Sequence, residues 1–198
     1  MNRCFQTLLI VSTIGCSWLA MLALHESGHV LHGWLSGATV AAVHLPPLGF
    51  SRTDFAANPH PLFVAWGGPV WGCLFPLILL GGVRLLNKTI CSFATRHLYL
   101  LAWLVGFCLI ANGGYLLGGA FMPSGGADDG GVILQHGGTR WQLFLFGIFA
   151  VPLGLYFWNG LGPSFGFGRS HGRVDRTAAV VLAVVLVCTI TALAICEK

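Results

Sequence analysis

The sequence predicts an all-α polytopic membrane protein of about five transmembrane helices, with a short strand-like or re-entrant segment after the first. Three observations carry that expectation. Of the 198 residues, 56% are hydrophobic and only 8% are charged, about a third of the charge that a soluble domain carries. The mean hydropathy is +0.80. Apolar runs of about 20 residues, the length that crosses a hydrocarbon core, recur about five times between short polar stretches. This composition excludes a soluble enzyme and a disordered tail. The net charge of +4 arises from ten Lys and Arg scattered over the whole length, not from the basic stripe of a nucleic-acid binder. The expected surroundings are a lipid bilayer, with the cell membrane as the location, and no nucleic-acid partner is expected.

The first apolar run, residues 5–24, passes without a breaker into His25-Glu26-Ser27-Gly28-His29-Val30-Leu31-His32. Arg3 followed by an apolar stretch also fits a secretory signal. Removal would cut away the helix leading into the polar cluster, so the segment is expected to stay. At 1.5 Å per residue, residues 5–35 would extend about 46 Å, so this helix is expected to tilt, protrude or break near its end. Residues 37–60 change character: small and β-branched residues alternate, and Pro46, Pro47 and Gly49 punctuate them, as in a short strand or hairpin.

A second span is expected over about 61–86, with the small-residue cluster Gly67-Gly68-Pro69 in its first part. A third covers about 97–121, interrupted at Asn112-Gly113-Gly114 and at Gly118-Gly119. A polar, glycine-rich stretch over 123–131 leads into a short helical run over 132–136. The fourth span lies at about 141–161, and an uninterrupted C-terminal span covers 177–196. Most of the seven cysteines lie in apolar runs and none forms a C-x-x-C pair. Such cysteines act as small hydrophobes, so neither a disulfide framework nor a sulfur-ligated metal is expected. No internal repeat or separate soluble domain is legible, and residues 1–198 are read as one membrane domain.

The chemistry is concentrated in a few polar residues. The acidic residues are Glu26, Asp54, Asp128, Asp129, Asp175 and Glu197, and an ionisable group at membrane depth costs at least about 2.5–3.5 kcal/mol, which makes it a functional candidate. Glu26 lies inside the pattern H-E-x-x-H. On a helix, His25 and His29 stand one turn apart on one face and can share a metal ion. Glu26 is rotated about 100° from His25, placed to act as general base on a metal-activated water without being a ligand. Chance gives this pattern in roughly 0.3% of chains with this His and Glu content, so packing alone is a poor explanation. A tetrahedral zinc then lacks one protein ligand. His32 suits a capping or packing role, and His44, His60, His97, His136 and His171 are isolated. The carboxylates Asp128 and Asp129, flanked by glycines that permit close backbone approach, are better candidates.

His25-Glu26-Ser27-Gly28-His29 late in a helix, Gly67-Gly68-Pro69 in the next, and Asp129-Gly130-Gly131 after a later one together resemble the site-two proteases. These are zinc metalloproteases that cut peptide bonds within or beside membrane spans. The resemblance covers about residues 15–137, the expected metalloprotease core. It implies zinc as cofactor, His25, His29 and Asp129 as ligands, Glu26 as base, and membrane proteins as substrates. The family usually carries an Asn and two Pro shortly before an L-D-G-G stretch. Here that segment has no Asn and one Pro, and Asp128 replaces the Leu. Alignment on Pro123 would select Asp128 as third ligand, and alignment on the double Gly selects Asp129, which we prefer. Asn112 is expected to make a buried helix-to-helix hydrogen bond rather than serve the reacting carbonyl.

Counting spans gives an independent expectation. With five crossings, residues 37–60 and 120–140 fall on one side (B), and His25, about 30 Å along its helix from Arg3, approaches that side too. Side A carries Arg3, Arg84, Lys88, Arg96, Arg169, Arg173 and Arg176, while side B carries Arg52, Arg140 and Lys198. The positive-inside rule puts side A in the cytoplasm, whereas the resemblance implies a site nearer the cytoplasmic face; the charge count is followed here. A helical substrate must unwind before attack, and residues 40–48 could hold it as an added strand or simply connect two spans. The rival readings are a non-proteolytic relative that keeps the metal as a scaffold, and a metal-ion transporter.

Overall fold

The computed structural model describes residues 2–86, 96–122, 126, 128–168 and 173–196. In chain order the elements are α1 (Asn2–Ser36), β1 (Thr39–His44), β2 (Arg52–Ala57), α2 (Pro61–Leu86), α3 (Leu98–Gly119), the short α4 (Asp129–Gln135), α5 (Arg140–Trp158), a 3₁₀ turn (Gly162–Phe165) and α6 (Arg176–Cys196). Among the described residues, five helices are long and apolar enough to cross a membrane: α1, α2, α3, α5 and α6. Lys88, Pro123, Arg169, His171 and Lys198 lie outside the described residues.

Helix α1 does not break. Its 35 residues run as one helix, about 52 Å long, with Trp34 and Leu35 exposed near its end. It stops at Gly37, whose φ of 76° is the left-handed conformation that glycine adopts without strain. There the Ala38 N–H returns to the Gly33 carbonyl at 2.8 Å, the closing bond of a Schellman-type C-cap.

The chain then turns back along α1. Strands β1 and β2 pair antiparallel, with Thr39 opposite Ala57 and His44 opposite Arg52. Three contacts fix the hairpin along the helix. Phe55 lies against Gly33, where a methyl group would meet its ring at 2.7 Å. Ser51 and Thr53 reach Glu26, and at the tip Trp18 Nε1 donates to Pro47 O at 3.1 Å. From Gly33 to Trp18 is about 22 Å along a helix. The hairpin therefore lies beside α1 down to its middle, and the strand-like expectation holds.

Helices α1 and α2 touch backbone to backbone. A methyl group on Gly28 would overlap the Gly67 carbonyl, and one on Gly67 would overlap that of Gly28. The third span differs from its expectation: α3 runs unbroken through Asn112, Gly113, Gly114 and Gly118. Two of its glycines serve packing instead. Gly106 and Gly113 lie against Gly154, Ala150 and Gly147 of α5, with methyl positions on Gly147 and Gly154 falling 2.6 and 2.8 Å from carbonyl oxygens of α3. In lipid, where burying apolar surface gains little, such close backbone approach is what holds helices together. At the side A end, Leu9, Phe165, Ala178 and Ala179 form a cluster that seats α6 beside α1.

Candidate metal centre

Three donors from two distant segments converge. His25 and His29 stand one turn apart on α1, and Asp129 is the first residue of α4. His25 Nε2 lies 2.8 Å from Asp129 Oδ2, His29 Nε2 lies 3.2 Å from Asp129 Oδ1, and the two Nε2 atoms are 3.1 Å apart. The ligand atoms all fall within 4.8 Å of one another, and this is the one group of three or more potential metal-binding side chains among the described residues.

Each imidazole is oriented by its other nitrogen. His25 Nδ1 bonds Asn112 Oδ1 at 2.6 Å, and His29 Nδ1 bonds the Val64 carbonyl at 2.8 Å. Both partners are acceptors, so both Nδ1 atoms carry the proton and both Nε2 atoms present lone pairs to the centre. Asn112 is 2% exposed, and its amide Nδ2 donates to Cys108 O at 2.8 Å, which leaves Oδ1 facing His25. The helix-to-helix bond expected of Asn112 is present, and it is made to the first histidine of the motif.

The donor set fits a cation. Two lone pairs and a carboxylate facing one another require positive charge between them. A single divalent ion would satisfy all the donors together. Tetrahedral ligands at about 2.0–2.1 Å lie about 3.3 Å from each other, close to the separations found here.

Glycine makes the approach possible. A methyl group on Gly68 would overlap His29 Nε2 and lie 2.5 Å from His25 Nε2. The α2 backbone at Gly68 is thus one wall of the centre.

Asp128 and Asp129 separate cleanly. The Asp128 side chain accepts from the Gly131 N–H at 3.2 Å as N-cap of α4 and is exposed, while Asp129 turns inward, its own N–H donating to the Tyr115 hydroxyl at 3.0 Å. The helix begins at Asp129, not at 132 as expected, and that earlier start points the two neighbours in different directions. His32 packs rather than ligates: its ring stacks on Phe63 at 4.1 Å, and Nδ1 bonds Phe63 O. His44 pairs with Asp54 on the hairpin, and His136 bonds its own turn at Val132 O.

Glu26 stands beside the three donors and outside their group. It is 3% exposed, and its oxygens accept from Ser51 Oγ and Thr53 Oγ1, both at 2.6 Å. A cavity of about 830 Å³ joins the polar centre to an apolar region lined by Trp18, Met21, Leu22 and Phe50. Sequence reasoning missed Ser51 and Thr53. Comparison with family models, with curated proteins and with solved structures found no match to this chain.

Proposed function

We propose that this chain is a zinc-dependent endopeptidase that cleaves peptide bonds of membrane proteins within or next to the bilayer, as its motif-level resemblance to the site-two proteases implies. One observation carries the reading: His25, His29 and Asp129 gather within 4.8 Å in a cavity that also holds Glu26. His25, His29 and Asp129 would hold the ion, and two imidazoles with one carboxylate form a donor set suited to zinc. When bound, the ion would supply Lewis-acid polarisation of a water and of the scissile carbonyl.

The chain's own residues do the rest. Glu26 accepts the proton of the attacking water and passes it to the departing amine. Asn112 and the Val64 carbonyl keep the imidazoles aimed, and the walls of α1, α2 and the hairpin keep lipid from the reacting groups. The apolar part of the cavity, beside Trp18 and Phe50, suits the side chains of an unwound membrane segment.

The test is cleavage of a panel of single-span peptides in vesicles by the purified, zinc-loaded protein. Wild type should cleave members of the panel, and Glu26→Gln should keep the zinc and cleave none. Zinc-loaded wild type that cleaves nothing favours the scaffold reading, and zinc flux into the same vesicles favours the transporter.

A further inference from the structure

The hydrogen bonding of Glu26 is unusual for a carboxylate at this depth. It is 3% exposed, and among the described residues no Lys or Arg pairs with it. Ser51 donates to Oε1 and Thr53 to Oε2, each at 2.6 Å, so each oxygen is held by one neutral hydroxyl. Both donors come from one stretch of backbone, two residues apart. Arg52 between them faces the other way and pairs with Asp54 at 3.3 Å. Each carboxylate oxygen keeps a second acceptor site, so the pair fixes the plane of the group without using up its capacity to take a proton.

The hairpin segment that carries these hydroxyls, Ser51 just before β2 and Thr53 within it, is anchored on both sides of them. Phe55 seats on Gly33 above, and Trp18 holds Pro47 below. A carboxylate on α1 is therefore aimed by a separate element, whose position is set by contacts one and two turns or more away from the metal centre.

We propose that Ser51 and Thr53 are positioning residues for the general base, and that docking of the hairpin on α1 determines whether Glu26 is aimed at the reacting water. The inference rests on the proteolytic reading of the site. Geometry is its ground: buried carboxylates need donors, but two donors two residues apart on one stretch of backbone also fix orientation, and misplacing a catalytic group by about 1 Å can cost about a hundredfold.

The experiment uses the full chain in lipid nanodiscs with Ser51→Ala, Thr53→Val, the double variant, and the conservative Thr53→Ser. Three quantities are read: zinc per chain, kcat and KM separately on a cleaved single-span peptide, and the infrared carboxylate stretch of Glu26. Only Glu26 and Glu197 are glutamates, so ¹³C-glutamate labelling with Glu26→Gln as reference isolates that band. The double variant should keep its zinc, shift the band, and lose at least about tenfold in kcat with KM within about twofold. Thr53→Ser should recover most of the loss seen in Thr53→Val and return the band towards its wild-type position. An unshifted band in the double variant, or a shifted band with wild-type kcat, overturns the proposal. A band that shifts as expected in a protein whose wild type cleaves nothing sinks the proteolytic reading while leaving the clamp on Glu26 standing.

Discussion

Asn112 Oδ1 lies 2.6 Å from His25 Nδ1, across the gap between α3 and α1. This contact fixes the tautomer of His25 and so decides that Nε2, not Nδ1, faces His29 and Asp129. Partners of this kind typically contribute 10–100-fold to metal affinity. Asn112→Ala should therefore weaken zinc binding by about 10–100-fold in competition with a calibrated chelator, and Asn112→Asp, which keeps the acceptor, should weaken it less. Equal affinity for wild type and Asn112→Ala would show that the contact does not orient the ligand.

The two aspartates should behave differently. Asp129→Ala removes a donor and should abolish stoichiometric zinc binding. Asp128→Ala removes only the N-cap of α4, which costs about 1 kcal/mol, and should keep the metal while lowering the unfolding temperature slightly. Reversal of the two results would move the third ligand to Asp128.

Gly68 admits no side chain because a methyl group there would overlap the donor nitrogen of His29. Gly68→Ala should lose metal binding, and Gly28→Ala should push α1 from α2 at a cost of about 1–3 kcal/mol. Gly81 lies on the same helix with nothing near its methyl position, so Gly81→Ala should leave both properties unchanged. Thermal unfolding and zinc content measured on all three variants check this.

At the opposite end of the molecule, Asp175 accepts from the Ala178 N–H at 3.0 Å and pairs with Arg96 at 2.9 Å. The backbone hydrogen bond first, and Arg96 after it, hold its carboxyl below the usual range despite partial burial. A depressed folded-state pKa means stability that is present above the unfolded value of about 3.9 and lost as pH falls below it. Asp175→Ala should thus lower the unfolding temperature at pH 7, and the gap to wild type should narrow below about pH 4. A gap constant with pH would mean that the charge of Asp175 does not contribute.

Much of the fold was legible because lipid imposes a simple length rule. The spans appear as apolar runs, and all five are found close to where the runs lie. The expected breaks in the third span failed for a physical reason. Gly113 reads as a helix breaker in water, but in α3 it lets the backbone meet Ala150 and Gly147 of α5, and intrinsic propensity gives way to packing. In the candidate site, His25, Glu26 and His29 were visible because helical periodicity places them locally. Asp129 was reached through its flanking glycines and the resemblance at Asp129-Gly130-Gly131, and the crossing count separately put its loop on the same side. Ser51 and Thr53 stayed hidden, since their pairing with Glu26 depends on how far the hairpin descends along α1, which no local pattern encodes. The Val64 carbonyl on His29 was equally illegible, because a backbone acceptor carries no side-chain signature.

The most direct test of the account is the zinc content per chain of wild type, His25→Ala, Asp129→Ala, Asp128→Ala and Glu26→Gln, purified without chelators and measured by elemental analysis. The account predicts one zinc in wild type, Asp128→Ala and Glu26→Gln, and none in His25→Ala and Asp129→Ala. A stoichiometry unchanged by loss of His25 or Asp129 would contradict it.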